Sequence, residues 1–237
     1  MLDAVLFDWG DTLMRWAPEP DFVEAGHAAG FAALGRAQPD GYTERFRAEV
    51  LVELFERDGL DERDYAALVR AALAAEGIEP DDAELERFLV AEHAAWRPAV
   101  SLAATTHALL DALRERGLRL GLVSNAIDPP ALLHRDLAEL GVAERLDVAL
   151  FSSEVGWRKP HPAMFERALA ELGAEPERTL FVGDNLVNDV GGASALGIRT
   201  CQALWFVADD ADGAPEPEFR AFTQMDVLTV VRRLALR

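Results

Sequence analysis

The chain has 237 residues, half of them hydrophobic, and carries a formal net charge of −19 at pH 7. This composition supports a sizeable folded core and excludes a globally disordered chain. The negative charge argues against nucleic acid and anionic membrane surfaces as partners, and leaves room for a small anionic substrate only beside a local cation.

No stretch approaches the roughly 20 apolar residues of a membrane span, and the start of the sequence is not typical of a secretory signal. The single cysteine, Cys201, excludes an internal disulfide and is typical of a reducing compartment. We therefore expect a cytoplasmic protein without a membrane partner. The oligomeric state is not indicated by the sequence.

The first predicted element is a short apolar strand, Val5 to Phe7, which is followed directly by Asp8. Asp often begins a turn after a strand, so a purely structural role suits Asp8 by itself. In an open parallel sheet, however, ligands bind beyond the carboxyl ends of the strands. The two readings are equally good until the same pattern is found elsewhere.

Helical patterns fill the next stretch, and no convincing strand occurs between residues 20 and 96. Apolar residues at helical spacing predict helices over 21–36, 41–57, 62–75 and 82–96. Asp61 and Asp81 are suitable N-terminal caps for the last two. We expect residues 16–97 to form a helical domain inserted into a core of residues 1–15 and 98–237.

Strands and helices alternate after residue 100. Apolar runs predict strands at 118–123, 148–151, 179–182 and 198–204, and helices at 103–116, 130–140, 162–172, 185–196 and 227–236. The helix at 130 is expected to be capped by Asp128, and residues 209–217 are expected to form an acidic surface loop. This alternation predicts an α/β fold with a Rossmann-like parallel sheet, to which the first strand must also belong.

Four polar side chains follow strands of this predicted sheet: Asp8, Ser124, Lys159 and Asp184. Taken alone, Ser124 is better explained as a turn residue and Asp184 as a helix cap. Together they place two carboxylates, a hydroxyl and a cation at one edge of the sheet, which suits the handling of an oxyanion. Lys159 is also the single lysine, since every other one of the 23 basic residues is an arginine.

The ordered set of motifs resembles that of the haloacid dehalogenase superfamily over essentially the whole chain. The matching stretches are Asp8-x-x-x-Thr12, Leu122-Val123-Ser124-Asn125, Arg158-Lys159-Pro160-His161-Pro162 and Val182-Gly183-Asp184-Asn185-Leu186-Val187-Asn188-Asp189. The resemblance implies that the helical insert is a cap domain, which closes over the site and helps to select the substrate.

The resemblance also implies an enzyme, a phosphohydrolase that acts on a small phosphorylated metabolite. Asp8 would be the nucleophile that forms an aspartyl-phosphate, and cations would offset its repulsion of phosphate. Ser124 and Lys159 would bind the phosphoryl oxygens, with Lys159 also holding the carboxylate of Asp8. Asn125 and Thr12 would complete the substrate-binding residues.

A magnesium site is the second implication of the resemblance. Its ligands would be Asp8, the backbone carbonyl of Gly10, Asp184 and, directly or through water, Asp189. Such an oxygen donor set suits Mg²⁺, which retains several waters.

The sequence departs from the family's phosphatases at Gly10, where they carry a second aspartate. That aspartate protonates the leaving oxygen and later activates water, which is help typically worth about 10²–10⁴-fold in rate. Asp11 lies one position further on and is not expected to replace it. Gly10 still supplies its backbone carbonyl, so metal binding is expected to survive.

Three other functions compete with an ordinary phosphatase. A 2-haloacid dehalogenase expels halide without a proton, but these relatives use no metal and lack the pair Gly183-Asp184. Phosphonoacetaldehyde hydrolases share the Asp8-Trp9 start but use a cap lysine, and this cap has none. A phosphate-binding protein that has lost turnover and acts through partners remains the main alternative to a phosphohydrolase with an unusual leaving group or a low rate.

Overall fold

The computed structural model describes residues 2–55, 58–207 and 213–235. The strands within these residues are β1 (Ala4–Phe7), β2 (Met14–Trp16), β3 (Val100–Leu102), β4 (Arg119–Ser124), β5 (Val148–Phe151), β6 (Thr179–Gly183), β7 (Arg199–Ala203) and β8 (Phe219–Ala221). Six of them form one parallel sheet in the order β5-β4-β1-β6-β7-β8, while β2 and β3 form a separate antiparallel ribbon.

The helices fall into two groups, one between β2 and β3 in the chain and one after β3. The first group is α1 (Phe22–Ala33), α2 (Tyr42–Phe46), α3 (Val52–Phe55), α4 (Tyr65–Ala75) and α5 (Asp82–Trp96). The second is α6 (Thr106–Arg114), α7 (Pro130–Glu139), α8 (Ser152–Val155), α9 (Pro162–Leu172), α10 (Gly192–Ser194) and α11 (Asp226–Ala235). Single π-helical turns lie at Arg47–Leu51 and Leu186–Gly191. None of the helices in the described part of the chain is long and apolar enough to cross a membrane.

The central strand β1 is completely buried, as its sequence Ala-Val-Leu-Phe predicts. Its alternate residues supply two apolar clusters, with Val5 and Phe7 on one face of the sheet and Ala4 and Leu6 on the other. The strand order turns around at β1, because β4 and β5 follow on one side of it and β6 to β8 on the other. Ligand sites of open α/β sheets lie at such a switch point. The predicted α/β class with a Rossmann-like core is confirmed.

The inserted helices have an apolar core of their own, built around Phe31, Phe88 and Tyr42. Helices α1 and α5 pack closely because α1 presents glycines to large rings of α5. A Cβ atom at Gly26 would lie 2.4 Å from Trp96, and one at Gly30 would lie 2.6 Å from Phe88. Such distances leave no room for a side chain, so these two glycines permit the contact.

The ribbon of β2 and β3 was not predicted, and it lies where the chain leaves and re-enters the core. Each strand has three residues, which is too short for an alternating pattern to be recognised in sequence. The expected boundaries at 15/16 and 97/98 fall inside or beside this ribbon. We retain them as a proposal.

Several local predictions need correction. The helix predicted over 41–57 is interrupted by the π-helical turn within its described part, and residues 56 and 57 lie outside the described residues. Asp64, not Asp61, caps α4 by accepting a hydrogen bond from the amide of Ala67, whereas Asp81 caps α5 as expected. The acidic loop predicted at 209–217 lies partly outside the described residues.

Candidate active site

The site is centred on Asp8, at the carboxyl end of the central strand β1. Its amide donates a hydrogen bond to the carbonyl of Val182 in the neighbouring β6 at 2.9 Å, so its backbone continues the sheet. Phe7 lies opposite Leu122 and Val182 in the register of β1 with β4 and β6. The residues that end the three strands therefore meet at one edge, as the sequence predicts.

Lys159 reaches Asp8 from the loop between α8 and α9. Its Nζ lies 2.6 Å from Oδ1 of Asp8 and 2.6 Å from Oδ1 of Asp189, and the residue is only 3 % exposed. Burial by itself would lower the pKa of Lys159, but the charges of Asp189 and Asp8 outweigh it and raise that pKa. The lysine is therefore a fixed cation between two carboxylates.

Asn125 fixes the backbone of the lysine loop. Its Oδ1 accepts a hydrogen bond from the amide of Lys159 at 2.7 Å, and its Nδ2 donates one to the carbonyl of Lys159 at 3.1 Å. Ser124, which ends β4, is 3 % exposed and lines the cavity described below. Both residues of this predicted motif are thus at the site, although Asn125 makes its contacts to the protein backbone.

Three carboxylates gather beside the lysine: Asp8, Asp184 and Asp189 each place an oxygen within 4.8 Å of the others. Burial, together with the negative charges of Asp8 and Asp189, raises the pKa of Asp184 to about 8. Burial also raises the pKa of Asp189, against the opposing effect of Lys159. One lysine faces three carboxyl groups, and the raised pKa of Asp184 reflects the cost of a third negative charge in this cluster, which a further cation would offset.

The local sequence explains how the carboxylate of Asp189 can lie close to the end of β6. Its Oδ2 accepts a hydrogen bond from the amide of Asn185 at 3.0 Å. A Cβ atom at Gly183 would lie 2.4 Å from that same oxygen, so only glycine leaves space for it. The turn is capped by Asn185, whose Oδ1 accepts from the amides of Val187 and Asn188, rather than by Asp184.

Residues 10 to 12 lie at different depths. Gly10 and Asp11 line the cavity, and Oδ1 of Asp11 accepts a hydrogen bond from the amide of Trp16 at 3.2 Å. Burial raises the pKa of Asp11. Thr12 is completely buried, and its carbonyl accepts hydrogen bonds from Trp205 and Gln224. The predicted substrate contact of Thr12 therefore has no counterpart among the groups that line the cavity.

A cavity of about 400 Å³ separates the inserted helices from this edge of the sheet. Trp9, Trp16, Ser124 and Asn125 line it from the side of the core and the ribbon, and aromatic rings of the inserted helices line it from the other. Trp157, which the sequence also places near the motifs, instead stacks on His161 at 3.9 Å between ring centroids.

A buried ionic cluster at the cavity wall was not predicted. His93 of α5 contacts Asp128 through Nδ1 at 2.7 Å and Asp136 of α7 through Nε2 at 2.9 Å, and Nε of Arg97 lies 3.2 Å from Asp136. We name these four residues the His93 cluster. Asp128 was expected to cap α7, but its carboxylate instead contacts His93, which belongs to the inserted helices. The two residues are 35 positions apart, so no local sequence pattern indicates their contact.

Burial would lower the pKa of His93, yet its hydrogen bonds to Asp128 and Asp136 outweigh burial and raise that pKa to about 9. A second buried group, Glu92, lies deeper among the inserted helices, 3.5 Å from Nε2 of His27. Burial raises the pKa of Glu92 to about 8. Both groups therefore hold a proton near neutral pH.

A lysine and three carboxylates at the carboxyl edge of a parallel sheet, beneath inserted helices, define a hydrolase of the haloacid dehalogenase type. The family model described as haloacid dehalogenase-like hydrolase matches residues 2–197, and the chain belongs to this family. The expected family and the expected class of enzyme are thereby confirmed.

Three comparisons place the chain within the family. It is 30% identical to a ribulose-1,5-bisphosphate 5-phosphatase of Halopiger xanaduensis, over 94% of this chain and 92% of the relative. It is 28% identical to a glyceraldehyde 3-phosphate phosphatase of Methanopyrus kandleri, over 99% of each. Among solved structures, a 2-haloacid dehalogenase of Pseudomonas syringae pv. Tomato aligns with a TM-score of 0.71 and 25% identity, over 99% of this chain and all of the other.

Proposed function

We propose that this protein is a magnesium-dependent phosphohydrolase that acts on a small phosphorylated metabolite through an aspartyl-phosphate on Asp8. The observation that carries the proposal is the 2.6 Å contact of Lys159 with Asp8 inside a cluster of three carboxylates. The phosphatase names of the two full-length relatives support the same reaction class. The single cysteine is buried, which suits the cytoplasmic location that we also propose.

In the first step, an oxygen of Asp8 attacks phosphorus and the bond between phosphorus and the leaving oxygen breaks. The leaving group departs with the electron pair. In the second step, water attacks the phosphorus of the aspartyl-phosphate, and inorganic phosphate and the Asp8 carboxylate are formed. Lys159 orients Asp8 and offsets the charge of the phosphoryl oxygens, and Ser124 supplies a hydroxyl donor to them.

The donor set of the carboxylate cluster fits Mg²⁺. Asp8, Asp184 and the backbone carbonyl of Gly10 would hold the ion, and Asp189 would contact it directly or through water. Burial and the charges of Asp8 and Asp189 raise the pKa of Asp184 despite the nearby Lys159, and a divalent cation would supply the further positive charge that favours its ionised form. When bound, the ion would neutralise the phosphoryl group as it approaches the nucleophile.

Gly10 favours a second candidate, a phosphate-binding protein that has lost turnover and acts through partners. No general acid occupies this position, and Asp11 next to it directs an oxygen to the amide of Trp16. Among the described residues that line the cavity, Asp11 is nevertheless the carboxylate nearest in sequence to position 10, where the family's phosphatases carry their aspartate. Its carboxylate would have to leave that hydrogen bond to serve as the acid.

The fold neighbour that is a 2-haloacid dehalogenase favours a third candidate, which we rank last. Dehalogenases of this family use no metal, whereas the three clustered carboxylates of this chain fit a divalent cation. A halide-release assay with 2-chloropropionate tests it directly.

A screen of acyl phosphates, phosphate esters and nucleotides, with and without Mg²⁺, tests the main proposal. We expect phosphate release that requires Mg²⁺ and is absent in Asp8→Asn. Intact-protein mass spectrometry of quenched samples with acetyl phosphate should detect one added phosphoryl group on the parent protein. Release of phosphate that persists in Asp8→Asn or in chelator would contradict the proposal, and the lack of both release and adduct would favour the binding protein.

A further inference from the structure

The cavity is lined by Trp9, which follows Asp8 in the chain, and by Ser124 at the end of β4, and aromatic rings form much of its wall. Those rings are Trp9, Trp16, Phe22, Phe46, Phe55, Tyr65 and Trp96. The volume of about 400 Å³ is ample for a single ring and a phosphate group, since an apolar cavity of about 150 Å³ already holds benzene. Burial of a ring against such a wall is favourable by the hydrophobic effect, and edge-to-face contacts between rings add to it.

The charged groups of the wall are already paired with protein atoms. Within the His93 cluster, each imidazole nitrogen and the guanidinium of Arg97 contacts a carboxylate, and Arg97 also contacts Glu139. Nη1 of Arg158 donates to the carbonyl of Leu54 at 2.6 Å. Both arginines of the described lining, Arg97 and Arg158, thus have protein partners, and a second phosphate or a carboxylate of the substrate would have to compete with these partners. An uncharged group fits this wall best.

The absence of an acid at Gly10 restricts the leaving group in a second, independent way. Without a proton donor, the oxygen must depart as an anion. A phenol has a pKa of about 10, whereas an aliphatic alcohol lies nearer to water, at about 15.7. The missing acid therefore penalises sugar and glycerol phosphates far more than it penalises an aryl ester.

We infer that the substrates of this protein are phosphate monoesters of uncharged phenols, with the aromatic ring seated in the cavity between the inserted helices and the sheet. This inference rests on the proposed phosphohydrolase function and adds the class of its leaving group. Attack by Asp8 breaks the bond between phosphorus and the phenolic oxygen, and the phenolate takes a proton from water after release. The second step consumes one water, as for any phosphate ester.

Four substrates separate the effect of the ring from that of the leaving oxygen. Phenyl phosphate has both features, benzyl phosphate has the ring on an alcohol, acetyl phosphate has a good leaving group without the ring, and glycerol phosphate has neither. We expect phenyl phosphate to exceed benzyl phosphate by about 10²-fold or more in kcat/KM, which reports the step that forms the aspartyl-phosphate. We expect phenyl phosphate to bind Asp8→Asn, which cannot form the adduct, about tenfold or more tightly than acetyl phosphate does in isothermal titration, because only phenyl phosphate buries a ring.

A cavity variant tests the placement of the ring. Phe55 lines the cavity yet is 56% exposed, so Phe55→Ser should fold normally. Phe222, which is 68% exposed and does not line the cavity, provides the same substitution as a control. We expect Phe55→Ser to lower the ratio of kcat/KM for phenyl phosphate to that for acetyl phosphate by about threefold to tenfold. Phe222→Ser should leave this ratio unchanged.

Suppose that acetyl phosphate is turned over but glycerol phosphate is turned over as fast as phenyl phosphate, or faster. This result would overturn the inference about the leaving group and leave the proposed phosphohydrolase function standing. If Phe55→Ser leaves the ratio of kcat/KM for phenyl phosphate to that for acetyl phosphate unchanged, the ring does not bind in this cavity and the inference is wrong. Absence of Mg²⁺-dependent turnover and of the Asp8 adduct with all four substrates would overturn the proposed function, and this inference with it. Halide release from 2-chloropropionate in that case would identify a dehalogenase.

Discussion

Asn125 holds Lys159 from both sides, with its carbonyl oxygen on the Lys159 amide at 2.7 Å and its amide nitrogen on the Lys159 carbonyl at 3.1 Å. The side chain of Lys159 in turn contacts Asp8 at 2.6 Å. The position of the Lys159 ammonium group therefore depends on a residue 34 positions away in sequence.

We predict that Asn125→Ala lowers kcat for acetyl phosphate by about tenfold or more, because loss of a partner for buried backbone groups costs about 1–3 kcal/mol and frees the lysine loop. Stopped assays of phosphate release and urea unfolding would measure both effects. Gln38→Ala is the control, since the Gln38 amide bonds to side chains of the inserted helices. Parent-like kcat and stability in Asn125→Ala would contradict the assigned role.

Lys159→Arg is the second prediction, and we expect a loss of activity of at least about 10²-fold. The ammonium group lies 2.6 Å from each of two carboxylates and is almost fully buried, so a larger planar guanidinium cannot take its place without moving Asp8 or Asp189. Exposed Arg167 pairs with Glu171, and the reverse substitution Arg167→Lys should have no effect on turnover. Retention of full activity in Lys159→Arg would show that any cation suffices at this position.

A single methyl group at Gly183 should disturb the proposed metal site. A Cβ atom there would lie 2.4 Å from Oδ2 of Asp189, so Gly183→Ala must displace that carboxylate. We expect a loss of about 1–3 kcal/mol in the free energy of unfolding and weaker Mg²⁺ binding in isothermal titration. Gly10→Ala is the control, because its Cβ would meet only Met14, at 4.0 Å. Equal Mg²⁺ affinity in both variants would count against Asp189 as a metal residue.

Much of the sheet could be predicted because each core strand is an apolar run that ends at a polar residue. Asp8, Ser124 and Asp184 follow strands by this rule, and parallel pairing then brings them to one edge. The contact of Lys159 with Asp8 was implied by the family resemblance, whereas its contact with Asp189 was not predicted. Both contacts depend on a loop that Asn125 holds in place.

The unpredicted features are those that depend on contacts between distant parts of the chain. Asp128 has the local setting of a helix cap, yet its carboxylate forms a stronger charged hydrogen bond with His93. The ring-lined cavity likewise exists only because helices of the insert face the edge of the sheet. Neither arrangement produces a periodic signal within one window of sequence.

The His93 cluster should make stability depend on pH. The pKa of His93 is raised to about 9 in the folded chain, and its ordinary value is 6.5. The folded state therefore binds more protons than the unfolded state between these values, and the free energy of unfolding falls as pH rises through this window. The stabilisation by His93 is complete below pH of about 6.5 and lost above about 9, with an upper bound of roughly 3 kcal/mol.

Urea unfolding of the parent and of His93→Gln at pH 6 and pH 9.5 would measure this effect. Glu92, with its pKa raised to about 8, contributes a fall in stability in the same direction. The informative quantity is therefore the difference between parent and variant, which should shrink at high pH. His134→Gln removes an exposed imidazole and serves as the control. A difference that stays constant with pH would show that His93 is not charged in the folded protein.

Gly10→Asp should restore the acid that the family's phosphatases carry. A Cβ atom at Gly10 would make only an ordinary contact with Met14 at 4.0 Å, so the backbone there accepts a side chain without a clash at Cβ. An aspartate there can protonate the leaving oxygen and later activate water. We expect turnover of glycerol phosphate to rise by up to about 10²–10⁴-fold, and turnover of acetyl phosphate, whose leaving group needs no proton, to change far less in the first step.

The two half-reactions of the parent should be affected unequally by the missing carboxylate. Phosphorylation of Asp8 by acetyl phosphate needs no acid, whereas hydrolysis of the adduct needs a base for water, so the aspartyl-phosphate should accumulate in the parent and in Gly10→Ala. Quenched-flow mass spectrometry should then record a shorter adduct lifetime in Gly10→Asp, with no adduct in Asp8→Asn. Flat turnover in Gly10→Asp, combined with no adduct from any donor, would mean that the site binds phosphate without transferring it. Faster loss of the adduct in Gly10→Asp would instead mean that the nucleophile, the lysine and the carboxylate cluster of the parent are competent, and that the glycine alone limits which leaving groups the protein can release.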